Sequence, residues 1–322
     1  MEDRNENGVS RRDFMKLAAG AAATAGLAAI APSSLHASTQ PKIPLRTLGK
    51  TGAKISILGF GGGSRFLVAS EEQAAEMLER AADAGITYFD TASSYGKDSA
   101  SEKLFGKILP KYRDQIFLTT KSEIRSYDGM MASVEESLKL LKTDRLDLMQ
   151  MHDIGPKDDL AAWEKPDGAL TALRKLRDEK VIKYIGFTGH QKAESHLAVI
   201  EKLDFDTVLM ALNAAGHKSF RDLALPAAEK KNMGIIAMKV TKGLIGEGAG
   251  KSSPSELLSW AYSLPISTVI VGMETIDQIN QNVEHAKAWS PGKTDVASLI
   301  QNMSSHATFE QVGWAMPEYR DA

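Results

Sequence analysis

A closed (β/α)8 barrel, the TIM-barrel fold, is predicted by three features of the sequence. Apolar runs of strand length alternate with amphipathic helical stretches eight times between residues 55 and 290. The 322 residues suit one such barrel, in which helical crossovers join parallel strands and closure leaves no sheet edge. The competing fold, an open doubly wound sheet, wants Gly-x-Gly-x-x-Gly after its first strand. Here Gly59-Phe60-Gly61-Gly62-Gly63-Ser64 ends in serine, and the barrel is preferred.

A short entry segment, 44–53, precedes the first strand at 55–61. Further strands are expected at 88–92, 116–121, 146–152, 184–188, 207–213, 234–240 and 268–272. Helices are expected at 71–84, 130–141, 169–178, 193–203, 222–231 and 254–263, where apolar residues recur every three or four positions. Three helix starts carry capping boxes: Ser70 with Gln73, Ser253 with Glu256, and Thr275 with Gln278. Pro254 follows the second of these caps, at the first helical turn. The tail after Trp289 carries no motif.

Composition narrows the function. With 43% hydrophobic and 25% charged residues, the chain can bury a sizeable core. Lys+Arg 39 against Asp+Glu 41 gives a net charge of −2, which indicates no nucleic-acid surface. The absence of cysteine excludes disulfides, cysteine-held zinc, iron–sulfur clusters and thiol nucleophiles. The 7 histidines show no ligand spacing, so no metal is expected.

The N-terminus reads Ser10-Arg11-Arg12-Asp13-Phe14-Met15-Lys16, followed by an uncharged, Ala-rich run from 17 to 31. A basic region, an apolar run and a small-residue cleavage site form a secretory layout. The pattern resembles the twin-arginine export signal, with Ser before the arginine pair and Phe and Lys after it. The run falls short of the ~18–20 strongly apolar residues of a spanning helix, although an uncleaved anchor is the alternative. Residues 1–37 are therefore expected to be a signal cleaved after Ala37, and 38–322 the barrel. The mature protein is expected outside the cytoplasm, in the periplasm, after passage through the twin-arginine translocation machinery.

Chemistry in a barrel belongs at the carboxyl ends of its strands. Strand two leads into Phe89-Asp90-Thr91-Ala92-Ser93-Ser94-Tyr95-Gly96, strand three ends at Lys121-Ser122-Glu123, and strand four ends at Met151-His152-Asp153. Neighbouring strands lie about 4.8 Å apart, so these polar groups can converge. Asp90, Tyr95, Lys121 and His152, with Ser101-Glu102-Lys103-Leu104-Phe105-Gly106 downstream, resemble the catalytic set and flanking motif of the aldo/keto reductases. The resemblance runs over residues 43–290. It implies hydride transfer between a nicotinamide dinucleotide and a carbonyl or alcohol. Tyr95 would be the general acid/base, and a phenol with an ordinary pKa near 10 needs help from a neighbouring charge. Lys121 would supply that charge, Asp90 would hold the lysine, and His152 would orient the carbonyl oxygen.

The same resemblance implies a cofactor cleft across the barrel mouth. Gly62 and Gly63 match a small-residue corner beside the nicotinamide. Thr188 and Gly189 stand where Ser-Asn usually contacts the carboxamide, and Asn213 matches the asparagine closing strand six. Met238 replaces a stacking aromatic, with Lys239 behind it as a phosphate-directed charge. The loop 242–252, beginning with Lys242 and Gly243, resembles a belt over the pyrophosphate. Gln281 and Asn282 occupy the adenine-contacting positions. The usual basic positions for the 2′-phosphate fall at the uncharged Gly272 and Gln278, so NADP is the family default and NAD its rival. The expected protein is an exported, monomeric NAD(P)H-dependent oxidoreductase acting on a small carbonyl or alcohol. The alternative is a nucleotide-binding sensor or scaffold on the same barrel, with little turnover.

Overall fold

The computed structural model describes residues 42–316 and Tyr319. The expected export signal at 1–37 and its cleavage point lie outside the described residues. The chain first forms a two-stranded antiparallel hairpin, β1 (Leu45–Thr47) with β2 (Lys54–Ser56). Eight parallel strands then close into a barrel: β3 (Leu58–Gly61), β4 (Tyr88–Asp90), β5 (Phe117–Ser122), β6 (Leu146–Met151), β7 (Ile182–Gly189), β8 (Thr207–Ala211), β9 (Gly234–Met238) and β10 (Thr268–Val271). β10 pairs with β3 to complete the ring.

The crossovers are α1 (Glu71–Asp83), α2 (Ala100–Ile108), α3 (Tyr127–Leu141), the short α4 (Leu160–Trp163), α5 (Ala169–Asp178), α6 (Ala193–Lys202), α7 (Leu225–Lys230) and α8 (Pro254–Tyr262). α9 (Ile276–Ala288) follows the last strand. Both Ser70 and Ser253 form complete capping boxes. At Thr275 only half the box forms: its hydroxyl accepts from the Gln278 amide, while the Gln278 side chain turns to accept from the Glu274 amide at 2.8 Å.

The first predicted strand, 55–61, is two strands. Ile57 is the switch: its amide donates to Pro44, on the hairpin side, while its carbonyl accepts from Val269, ahead of the β10–β3 pairing. Both halves bury their side chains, which is why they read as one apolar run.

Period-two geometry then divides each barrel strand between an outer face and an inner one. Tyr88, Phe117, Leu148, Leu209, Ile236 and Met238 form one buried cluster, closed by Leu48 and Ile55 from the hairpin region. The Tyr88 and Phe117 rings stack at 5.5 Å, and Tyr184 stacks on Phe117 at 6.2 Å. A second cluster joins the outer strand faces to the helices. Burial of each large side chain contributes roughly 1.5–3 kcal/mol before entropy is counted.

The tail that carried no motif is structured. α10 (Val296–His306) and α11 (Phe309–Val312) fold back, and Trp314 is fully buried. A Cβ on Gly243 would stand 2.6 Å from the Gln311 carbonyl oxygen, and one on Gly250 would stand 2.8 Å from the Ala307 amide nitrogen. The glycines of the loop 242–252 thus let the tail pack against it.

One buried group ties this packing to pH. His196 of α6 lies against Phe187 and Phe220, at ring separations of 5.3 and 4.9 Å. Burial pushes its imidazole down from 6.5 to about 4, against backbone groups at Lys192 and Leu209 that favour the charged ring. The unfolded chain therefore binds the proton first. The neutral ring's contribution is complete above pH 6.5 and is lost as pH falls from 6.5 to about 4. Urea unfolding at pH 7 and pH 4.5 is expected to show a stability loss about 2–3 kcal/mol larger in the wild type than in His196→Gln.

Candidate active site

The site continues the barrel's inner face. Two residues beyond Tyr88 on β4 is Asp90; beyond Phe117 on β5 come Thr119 and Lys121; beyond Leu148 on β6 come Gln150 and His152. Strand register pairs Asp90 with Thr119 and Lys121 with Gln150, so these groups share one layer above the aromatic stack. Asp90 and Lys121 are fully buried.

The Lys121 ammonium has three acceptors for its three protons. It donates to Asp90 Oδ1, to the Thr91 carbonyl at 2.7 Å and to Tyr95 Oη at 3.2 Å. It also lies 4.5 Å from the centroid of the Tyr95 ring. The other Asp90 oxygen accepts from Gln150 Nε2 at 3.4 Å, and Gln150 also reaches Thr119 Oγ1 at 3.1 Å. Burial pushes the Asp90 carboxyl above the usual carboxylate range, while the charge and hydrogen bond of Lys121 and the amide of Gln150 pull it back. A buried pair of this kind adds little to stability, but its partners hold each other in place.

His152 stands across from Tyr95, ring to ring at 5.7 Å and 78°. The His152 amide donates to Ser122 at 2.8 Å, and Arg125 Nη2 donates to the His152 carbonyl at 2.7 Å. Nδ1 lies 3.3 Å from Ser94 Oγ and 3.6 Å from Glu123 Oε1. All four predicted catalytic residues are thus brought together. Sequence reasoning gave no role to Gln150, Ser94 or Glu123. Gln150 could have been found by counting back two residues from His152 along the strand.

A cavity of about 530 Å³ opens beside this cluster, and Asp90 and Tyr95 form part of its wall. Gly63, Met238, Lys239, Gly243, Gly272, Gln278, Gln281 and Asn282 line it. Gly62 and Gly189 do not. A Cβ on Gly62 would come within 2.7 Å of Phe105 and Ser101, and one on Gly189 within 2.5 Å of the Ile154 carbonyl. Both glycines are closely packed against neighbouring chain. Thr188, near the end of β7, and Asn213, just past the end of β8, are buried and are not among the residues lining the cavity.

Neither amide atom of Asn213 has a hydrogen-bond partner among the described residues, although the residue is 2% exposed. An orphan amide in this position fits a ligand carboxamide. Lys239 adopts a left-handed backbone, φ 62°, which costs a non-glycine residue energy and is found at functional sites. Its ammonium and that of Lys242 both donate to Tyr319 Oη of the tail. Around Gly272 the neighbouring side chains are already engaged. Arg65 packs on the glycine and pairs with Glu274, and Gln278 is engaged with the Glu274 backbone.

The (β/α)8 barrel thus carries a buried Asp–Lys pair aimed at a tyrosine in its mouth. The aldo/keto reductase family profile matches residues 58–251, more than half of the chain. The chain is 31% identical over 287 residues to the L-galactose dehydrogenase of Arabidopsis thaliana, covering 75% of this chain and 88% of the relative. It is 30% identical over 240 residues to the D-threo-aldose 1-dehydrogenase of a Pseudomonas species, covering 62% of this chain and 70% of that one. A solved aldo-keto reductase from Pseudomonas aeruginosa superposes with a TM-score of 0.64 at 26% identity, over 77% of this chain and 97% of that one. The chain belongs to the aldo/keto reductase family and is an oxidoreductase.

Proposed function

We propose that the protein transfers hydride between a nicotinamide dinucleotide and a carbonyl or alcohol, with Tyr95 as general acid/base. The observation that carries this reading is the Lys121 ammonium, buried and fixed by Asp90, with one proton directed at Tyr95 Oη at 3.2 Å. A cation there favours the phenolate over the phenol, so Tyr95 can release its proton to an alkoxide and take it back in oxidation. The nicotinamide, when bound, supplies or accepts the hydride. Met238 would pack on its ring, and Lys239, Gly243 and the rest of the loop would face the phosphates. Asn213, whose amide has no partner among the described residues, and Thr188 would hold the nicotinamide's carboxamide only by turning from their buried positions toward the cavity. Gln281 and Asn282 would take the adenine. The two sugar dehydrogenases among the relatives make a hydroxylated aldehyde or its cyclic form the first substrate to try.

The test is oxidation of reduced nicotinamide, followed by absorbance, with a series of hydroxyaldehydes. Nucleotide binding without aldehyde turnover would instead favour the sensor reading. With Arg65 held by Glu274 and no charge at Gly272 or Gln278, NADPH is expected to bind at most about tenfold more tightly than NADH, or about 1.4 kcal/mol. Fluorescence titration of both nucleotides measures this. A preference above a thousandfold would place a basic residue on the 2′-phosphate.

We also propose export through the twin-arginine pathway to the periplasm, resting on the pattern from Ser10 to Lys16. Arg11→Lys combined with Arg12→Lys is expected to retain the protein in the cytoplasm, as measured by fractionation. Unchanged export of the double variant would reject this route.

A further inference from the structure

Two groups meet His152 Nδ1, and neither is explained by hydride transfer. Ser94 Oγ, from the loop after β4, lies 3.3 Å away, and Glu123 Oε1, just past the end of β5, lies 3.6 Å away. The second distance is longer than a hydrogen bond, so the carboxylate acts through its charge. A carboxylate can only accept, and an imidazole lone pair facing it would be repelled. A proton on Nδ1 is attracted instead, and the serine oxygen can accept it. A neutral imidazole carries one proton. If Nδ1 holds it, Nε2 has none to give.

We propose that Glu123 and Ser94 are positioning residues that hold His152 as its Nδ1–H tautomer, so that Nε2 donates to a carbonyl oxygen only when the ring is an imidazolium. This deepens the hydride-transfer reading and rests on it. Other charged groups near the ring have partners of their own. Lys121 is saturated by Asp90, Thr91 and Tyr95, and Tyr95 presents its ring at 78°. Arg125 binds the His152 carbonyl and pairs with Asp158. Asp153, the next residue, faces His190 at 3.8 Å and accepts from Gln191 at 3.1 Å. Glu123 is the carboxylate brought to Nδ1. It favours the imidazolium, and with it the form that can hold a carbonyl. Carbonyl reduction should then fall as pH rises through the titration of this ring, separately from any loss of the Tyr95 proton.

The experiment is ¹⁵N NMR of the full-length protein labelled at histidine, with the His152 signals assigned by their loss in His152→Asn. The expected neutral form carries its proton on Nδ1. In Glu123→Gln the midpoint of the ring's titration is expected to drop by about half to one pH unit, because a charge near 4 Å has been removed. Ser94→Ala keeps the charge and should move the midpoint less. The falling limb of kcat/KM for aldehyde reduction should share the ring's midpoint in the wild type and shift with it in Glu123→Gln. A neutral ring protonated on Nε2, or a midpoint unmoved by Glu123→Gln, would overturn the proposal. The tautomer is read without turnover. A correct tautomer in a protein that reduces no aldehyde would count against hydride transfer, while the placement of Glu123 would stand.

Discussion

Tyr95→Phe is expected to lower kcat by about 10²–10⁴ while leaving nucleotide affinity within a few-fold of the wild type. The substitution removes one oxygen, the atom 3.2 Å from Lys121 Nζ, and keeps the ring that packs near Gly63 and His152. Asp90 and Thr91 still hold the lysine, and Gln150 still holds Asp90. The loss should therefore fall on the proton-transfer step, with KM for the aldehyde changing little. Steady-state kinetics paired with a fluorescence titration of the nucleotide separates the two effects. Unchanged turnover would remove Tyr95 from the mechanism.

Lys121→Met is expected to cost a comparable factor in kcat, for a different reason. The phenol stays, but the ammonium that favours its ionised form is gone. Asp90 also loses its partner in a fully buried place, and burial alone already pushes its carboxyl up. It should protonate to escape an unpaired buried charge. Stability is expected to fall by roughly 3–5 kcal/mol, read by urea unfolding. The double variant with Tyr95→Phe should be hardly slower than the worse single one, because both act on the same proton. Multiplying losses would show that Lys121 has a second role in turnover.

Much of this was legible in the sequence, and the reasons are physical. Strand ends are where barrels place chemistry, and period-two alternation puts Asp90, Lys121 and His152 on the inner face once their strands are located. Capping chemistry marked the starts of α1 and α8 from a few residues each. The hairpin stayed hidden because Ile55, Ile57 and Leu58 are all fully buried, so a change of partner left no trace in the apolar pattern. Gly62 and Gly189 carried two readings, because glycine permits close approach of ligand and of chain alike, and the packing shows the second at both. The tail was only partly readable: the caps at Asp295 and Thr308, the latter a full capping box with Gln311, went unread, but they mark only its helix starts. Tertiary contacts fix it, including the His217–Phe309 ring contact at 4.6 Å and burial of Trp314, and no local pattern encodes them. Glu123 and Ser94 were visible as letters, but their meeting at one imidazole nitrogen depends on the geometry of two loops.

The central claim is that the site moves a hydride between nicotinamide and substrate carbon. The most direct measurement uses reduced dinucleotide deuterated at the transferring position of nicotinamide C4 and a hydroxyaldehyde in ordinary water, with the product alcohol analysed by mass spectrometry and NMR. The account predicts one deuterium per product molecule, on the carbinol carbon, appearing in step with nicotinamide oxidation and suppressed about 10²–10⁴-fold in Tyr95→Phe. Product alcohol formed without deuterium, or nicotinamide oxidised with no alcohol formed, would contradict it.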